Sequence, residues 1–415
     1  MKVCVIGAGV IGLTTAYFLS KAGCQVVVLE KEHAAGRIGS YANGGQLSYS
    51  YVAPLASPSL LSHLPKYLFS GKSAIKLRLA LDPNQWRWFA QLLWACRARR
   101  SARTTQCLLQ LAEYSRRQLD VLLSDCPIEF AHRRNGKLVI YRSDASFATA
   151  KRQAALLANI GCSQRVLDPL EIAAIEPALA PIGHQLVGGI HTSTDHSGDC
   201  GQFCEALAKH LETRLDIRYG IDVLGFRTEN HRVRGVTTSG GECVVDNVVL
   251  AAGVSSAAVA RRVGIYLPVY PLKGHSLTME FNDPARAIVA GITDFDNKIL
   301  FAPVGKRLRA AGFIDMVGYD SAVDSRRLSQ LRQAVDATLP GLASQTDAVA
   351  WAGLRPATPT SLPIIGRSTL ENLYFNVGHG ALGWTLACGS SSLVASLVQG
   401  HETGIDRGVL DQFRP

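Results

Sequence analysis

Three glycines, Gly7, Gly9 and Gly12, form G-x-G-x-x-G directly after an apolar run, Lys2 to Ile6, that reads as a strand. A helix is expected to open at the last of them and run to about Lys21, and Glu30 ends the following strand. The spacing points to a dinucleotide pyrophosphate. Gly7 makes the turn, Gly9 lets backbone N–H groups approach the phosphates at the positive end of the helix, and Gly12 allows close strand–helix packing. Glu30 can accept hydrogen bonds from ribose hydroxyls and would repel a 2′-phosphate.

The triplet alone does not distinguish NAD from FAD. Arg37-Ile-Gly-Ser40 and Asn43-Gly-Gly-Gln46 add a second polar, glycine-rich stretch whose backbone could follow a longer cofactor. Val248 to Ser255 runs a strand into a small-residue turn, and Asn376-Val-Gly-His-Gly-Ala-Leu-Gly-Trp384 opens the last helix. A helix N-terminus suits the anionic reduced flavin ring, because its dipole and free N–H groups face the developing charge. A further cluster, His191, Asp195, His196, Asp199, Cys200 and Cys204, matches no closed zinc spacing, and no metal is expected. Asp199 reads instead as the N-cap of a helix beginning near Cys200. There is no Gly-x-Ser-x-Gly elbow or Walker loop to support hydrolysis or phosphotransfer.

These residues need a scaffold. The opening strand, turn, helix and strand are half of a doubly wound α/β unit. Residues from about Leu81 to Asp125 read as helical and carry many aromatic and basic side chains. From Asp216 the pattern becomes short alternating runs, Ile217 to Phe226, Arg232 to Thr238 and Cys243 to Leu250, with Ser239-Gly240-Gly241 as a turn. Tyr266 to Phe281 and Ile299 to Phe313 read as strands of a second sheet. Pro356, Pro359 and Pro363 then mark an extended connection before a strand at Leu373 to Val377 and a helix from about Leu382 to Gln399, ended by Gly400.

With 415 residues and 47% hydrophobic content, the chain can bury a substantial core. Its ten cysteines are scattered, which argues against a disulfide framework and for a reducing, cytoplasmic-side location. The N-terminal apolar run resembles a signal peptide, but Lys21 stands where a cleavage site wants an apolar residue. Gly380 to Val398 is uncharged and long enough to span a bilayer, yet rich in glycine and serine, so a spanning helix is not expected. The net charge of +10 comes without zinc-finger spacing or an RNA-stacking motif, so no nucleic-acid partner is expected. Residues 85–103 have two readings. Trp86, Phe89 and Leu93 on one helix face, running into Arg97, Arg99, Arg100 and Arg103, suit a peripheral anchor on the inner membrane; a core-facing helix with a solvated basic end fits the same pattern.

The chain resembles the D-amino-acid oxidase and glycine oxidase superfamily of flavoproteins, and within it the bacterial D-amino acid dehydrogenase small subunits. The resemblance covers essentially the whole chain. It rests on the N-terminal fingerprint, Ala42-Asn-Gly-Gly-Gln46, Leu111-Ala-Glu-Tyr-Ser115, Gly198-Asp-Cys200, Tyr270-Pro-Leu-Lys-Gly274 with Ser276-Leu-Thr278, Gly353-Leu-Arg-Pro356 with Thr358-Pro359, and Gly378 to Ser390. It implies non-covalent FAD and oxidation of a D-amino acid, by hydride transfer from Cα–H to flavin N5, to an imino acid that water hydrolyses to a 2-oxo acid and ammonia. Electrons would pass to a quinone-type membrane acceptor. Arg355 would grip the substrate carboxylate through its planar fork. The implied cofactor contacts are Gly7, Gly9, Val10, Ile11, Gly12, Glu30, Lys31, Ser40, Asn43, Gly44, Gly45, Gln46, Val223, Ala252, Gly253, Gly378, His379, Leu382, Gly383, Trp384 and Thr385.

Two departures bear on the substrate. Related dehydrogenases read Lys-Gly-Tyr-Ser where this chain has Lys273-Gly-His275-Ser276, which makes His275 a candidate at the site. Oxidases place a substrate-contacting tyrosine where this chain has Asn297-Lys-Ile-Leu300. His379 is a second candidate near the flavin, although hydride transfer from a neutral amine needs no strong base. The expected architecture is α/β: a doubly wound Rossmann-type FAD domain from 1–80, 190–265 and 350–415, and a discontinuous antiparallel-sheet substrate domain from 81–189 and 266–349. An oxygen-using oxidase of glycine, sarcosine or proline-like amino acids, and a flavin-carrying subunit inactive alone, are the alternatives; the residues do not indicate an oligomeric state.

Overall fold

The computed structural model of the chain describes residues 1–61, 73–78, 80–158 and 163–415. The parts of the expected spans 1–80 and 81–189 that fall on 62–72, 79 and 159–162 lie outside the described residues. The chain forms the expected α/β architecture with a second, largely antiparallel sheet. Lys2–Ile6 and Gln25–Leu29 carry Val-rich runs with almost every residue buried, the pattern of strands covered on both faces. They pair in parallel at the centre of a six-stranded sheet, which continues through Asn247–Leu250 and Leu373–Val377 to Ile364–Arg367 on one side and ends at Asp216–Arg218 on the other.

One face of this sheet packs Val3, Val5, Val26, Val28 and Val249 against the helices Val10–Lys21, Ala98–Asp125, Cys200–Leu211 and Gly383–Gln399. The other packs Cys4, Ile6, Val27 and Leu250 under a small antiparallel sheet, Val223–Glu229, Arg232–Thr238 and Gly241–Val244. The apolar stretch from Gly380 is thus a core helix. It approaches Ala98–Asp125 closely, since a Cβ on Gly389 would lie 2.8 Å from the Ser115 Cβ, and the Gly389 N–H donates to Ser115 Oγ.

The second sheet has nine strands, among them Val349–Ala357 at one edge, then Tyr270–Glu280, Arg307–Met316, Ile299–Val304, Gly291–Asp294, Lys137–Tyr141, Gly188–Thr192 and Arg165–Leu167. The run expected as one strand from Ile299 is two, because Gly305 takes φ +63° and reverses the chain. The domain boundaries also move. Gly188–Thr192 and Val349–Ala357 belong to this sheet rather than to the nucleotide unit, the latter paired along its length with Tyr270 to Thr278. Pro356 lies within that strand, where an edge position tolerates its missing N–H.

The helix expected near Trp86 spans Pro83–Ala95 and buries Gln85, Trp88, Leu92 and Ala95. The expected grouping of Trp86, Phe89 and Leu93 is therefore rotated: Trp88 turns inward to donate to the Ala357 carbonyl, while Trp86 and Trp94 remain 46% and 49% exposed.

The two sheets are tied by a buried ion pair. Asp199 caps the helix Cys200–Leu211 through the Gly201 and Gln202 N–H groups, and its second oxygen accepts from Arg309 Nη2 at 3.1 Å. Removing one partner strands a buried charge, which costs about 3–5 kcal/mol, whereas an exposed cap contributes about 1 kcal/mol. Asp199→Ala should therefore lower the urea midpoint severalfold more than Asp168→Ala at the exposed capping box, as measured by circular dichroism.

Candidate functional site

The glycine turn is fixed by contact as well as by sequence. Gly7 sits at φ +107°, and a Cβ there would lie 2.7 Å from the Ala251 carbonyl oxygen. A Cβ on Gly12 would lie 1.8 Å from the Gly7 oxygen. Strand end and helix start thus meet at a distance that only glycine allows. Glu30 is buried beside them, its two oxygens accepting from Ala8 N–H at 2.6 Å and Glu32 N–H at 2.9 Å; each oxygen keeps a lone pair for a hydroxyl. Ser40 Oγ accepts from Val10 N–H at 3.1 Å, so the second glycine-rich stretch folds over the helix start. Ala252 and Gly253 form the turn behind Gly7, and Val223 lies in the core under Ile6, Leu29 and Leu250. Lys31 points outward and pairs with Glu32.

Helices starting at Pro83, Pro169, Cys200, Ser325 and Arg407 each begin on an aspartate that accepts first-turn N–H groups. Gly9 and Leu382, which precede the first helix and the last long one, supply no such cap. Both ends suit an external acceptor: phosphate oxygens at Gly9–Ile11 and an electron-rich ring edge at Leu382–Thr385. A buried lattice of hydroxyls joins the two helices. Ser391 Oγ contacts Thr14 at 2.8 Å and Thr15 at 2.9 Å, and Asn376 Nδ2 donates to Thr15.

The stretch from Gly39 to Gln46 runs along the front of the nine-stranded sheet. Ser276 Oγ donates to the Ala42 carbonyl, Gly44 packs on Leu300 and Gly45 on Ala302, and Gln46 Nε2 donates to the Ile292 and Phe301 carbonyls. Asn43 Oδ1 accepts the Gly45 N–H and so shapes the turn. Arg309, which belongs to no motif, holds this stretch through the Asn43 carbonyl while pairing with Asp199.

Arg355 enters the same front face. Val349–Ala357 pairs with Tyr270–Glu280 so that Leu272 stands opposite Arg355 and Gly274 opposite Gly353. The guanidinium lies across Gly274, where a Cβ would come within 2.2 Å of Nη2. Its Nη1 donates to the Phe313 carbonyl at 2.8 Å, and among the described residues no carboxylate pairs with it. Burial lowers its pKa, and Asp315 opposes that shift. Gly39 beside Leu354, and the Ala357–His379 bridge, place both glycine-rich stretches next to this arginine.

His275 does not join them. Successive strand residues alternate faces, so His275 and Lys273 point to the back of the sheet. There His275 Nε2 accepts from Asp324 N–H at 3.3 Å, leaving the proton on Nδ1, 3.9 Å from Asp315. Burial pushes its pKa down to about 4, against the pull of Asp315. His379 does sit at the site's edge, with Nε2 3.0 Å from Ser390 Oγ and Nδ1 buried without a partner among the described residues; burial pushes its pKa down to about 3. Both imidazoles are neutral at pH 7.

Lys137 is a buried lysine that sequence spacing did not single out. It lies on the front face, donates to Ser48 Oγ at 2.8 Å and stands over the Tyr51 ring; the Ser48 N–H in turn donates to Thr385 Oγ1. Burial lowers its pKa to about 8, and burial raises that of Asp195 to about 6, each moderated by the other's charge. The remaining residues of the His/Asp/Cys cluster serve packing and turns: Asp195 accepts from Tyr49 and Ser50, and His196 faces His132.

Comparison with known proteins is consistent along the whole chain. Residues 2–397 match the family model described as FAD dependent oxidoreductase. D-amino acid dehydrogenase 2 of Ralstonia nicotianae is 42% identical over 409 residues, covering 96% of each chain. D-amino acid dehydrogenase 2 of Pseudomonas aeruginosa is 44% identical over 408 residues, covering 98% of this chain and 96% of that protein. Among solved structures, glycine oxidase from Geobacillus kaustophilus aligns with a TM-score of 0.80 at 22% identity, covering 100% of this chain and 98% of its own. L-proline dehydrogenase from P. horikoshii aligns at 0.77 and 19% identity, covering 100% and 96%. These two similarities concern the fold. Gly12→Ala should lower the melting temperature and lose most of the FAD, read from thermal unfolding and from the ratio of flavin to protein absorbance after gel filtration.

Proposed function

The chain belongs to the family of FAD-dependent oxidoreductases, and from that premise we propose that it oxidises a D-amino acid to a 2-oxo acid and ammonia, passing the electrons to a quinone-type acceptor. FAD is the cofactor. The residues that would hold it non-covalently are Gly7, Gly9 to Gly12 and Ser40 at the pyrophosphate, Glu30 at the ribose, and Gly378 to Thr385 at the ring end. Bound FAD supplies the acceptor for the hydride leaving Cα, and water completes hydrolysis of the imino acid.

One observation carries the substrate class: a half-buried guanidinium, Arg355, beside the cofactor stretches, hydrogen-bonded to a peptide oxygen and, among the described residues, paired with no carboxylate. A substrate carboxylate would restore the missing countercharge and accept the free face of the fork. Fixing that group fixes the direction of Cα–H, which is how binding is converted into rate. Leu300 packs on Gly44 along the same face. With His275 and His379 held neutral, the amine reaches its reactive neutral form through its own equilibrium with water. The choice of the D series follows the full-length relatives.

A membrane acceptor is supported by the surface at Pro83–Ala95. Trp86, Trp94 and the fully exposed Leu81 are solvent-facing in a segment that continues into Arg97, Arg99, Arg100 and Arg103, and the Arg97 and Arg100 guanidinium groups lie over the Trp94 ring. Aromatic and cationic side chains together suit the interface of an anionic bilayer on the cytoplasmic side.

An anaerobic spectral screen of D- and L-amino acids tests the reaction; bleaching by L isomers alone rejects the stereochemical assignment. Arg355→Ala should weaken substrate carboxylate binding by about 2–5 kcal/mol, and an unchanged KM rejects that role. Trp86→Ser combined with Trp94→Ser should abolish flotation with phosphatidylglycerol vesicles, and equal flotation would remove this face as the anchor.

A further inference from the structure

The pairing of Tyr270–Glu280 with Arg307–Met316 slips by one residue. Lys273 stands opposite Asp315 and His275 opposite Gly312, so Phe313 and Ile314 together face Gly274. Such a bulge bends the strand and turns a peptide out of the ladder. Phe313 takes φ +69° there, a left-handed conformation that crowds a bulky side chain. Its carbonyl thereby leaves the sheet ladder and becomes the acceptor for Arg355 Nη1 at 2.8 Å.

The back of the sheet holds this peptide in place. The Phe313 ring lies 4.4 Å from the Arg327 guanidinium, which grips both oxygens of Asp315 and donates also to the Ser73 carbonyl and Gln330. The His275 ring meets Phe313 edge-on at 6.5 Å between centroids. Arg327 and Asp315 are buried, and Arg327 sits in the first turn of the helix Ser325–Thr338, whose cap Asp324 donates its N–H to His275. The arrangement has an electrostatic side as well. Asp315 is the acidic group whose field reaches Arg355, but both of its oxygens are bound to Arg327.

We infer that the Asp315–Arg327 pair, acting through the left-handed Phe313 peptide, is a positioning device for Arg355: it orients the carboxylate-binding fork and keeps Asp315 from neutralising it. The device rests on the carboxylate role of Arg355 proposed above. Without Arg327 the Phe313 ring loses its brace, the bulge relaxes, and an unpaired Asp315 competes through space with the bound anion. The two guanidinium groups thus lie on opposite faces of one sheet and are coupled by one strained peptide.

The test uses the holoenzyme and acetate, a carboxylate without an amine, titrated by the change in flavin absorbance, alongside dye-linked turnover of D-alanine. In Phe313→Gly, which keeps the left-handed turn but loses the ring, and in Arg327→Met, the acetate Kd should rise about tenfold or more. The KM should rise with it, and kcat should change by less than about threefold, at full flavin content. Arg327→Lys should recover part of the loss, since it restores the charge beside Asp315. If acetate binds both variants within about twofold of the parent while Arg355→Ala abolishes binding, the positioning inference is overturned and the carboxylate role stands. If Arg355→Ala itself leaves the acetate Kd unchanged, the carboxylate role fails, and the inference fails with it. Should Arg327→Met not fold, Phe313→Gly decides between these outcomes alone.

Discussion

A guanidinium drawn partly out of water needs something negative to answer it, and at Arg355 the answers among the described residues are the Phe313 peptide oxygen and, at longer range, the charge of Asp315, itself bound to Arg327. That incomplete neutralisation is the constraint around which the front of the nine-stranded sheet is organised. Gly274 has no side chain because the guanidinium occupies its Cβ position, and Phe313 is driven into a left-handed turn to present its carbonyl. Asp315 remains on the other face, bound to Arg327. A group of this kind binds an anion more strongly than a solvated surface arginine would, because the cost of stripping its water has been met during folding.

The cofactor side is built on a similar asymmetry. Five helices open on an aspartate side chain, whereas the first helix and the last long one follow glycine-rich approaches without a cap of their own. The hydroxyl lattice of Thr14, Thr15, Ser391 and Asn376 then locks these two helices to each other. The two uncapped termini are therefore held in one rigid relation. Arg309 extends this relation to the second sheet, since one side chain reaches Asp199 in the nucleotide unit and the Asn43 carbonyl in the stretch between them.

Both histidines that attract attention in the sequence are neutral at pH 7, for the same reason of burial, yet they stand in different places. His379 lines the last helix beside the cofactor stretches, whereas His275 braces the back of the sheet through Asp324 and Phe313. Under the proposed carboxylate role of Arg355, a charged imidazole beside it would compete for the substrate anion.

Gly7, Gly9, Gly12 and Glu30 were enough to identify the nucleotide fold, because they state a local geometry within thirty residues, and local geometry is what spacing encodes. The capping role of Asp199 and the glycine stop at Gly400 were legible for the same reason. Arg355 was singled out only through its Gly-Leu-Arg-Pro setting. Tertiary structure decided the rest. Whether His275 faced the front or the back depended on strand register, and one residue of register exchanges the faces. Whether Trp86 or Trp88 turned inward depended on the Ala357 carbonyl, 269 positions away in sequence. Phe313, Arg327, Arg309 and Lys137 carried no motif, because their roles come from a bulge and from burial, and both arise only when distant strands have paired.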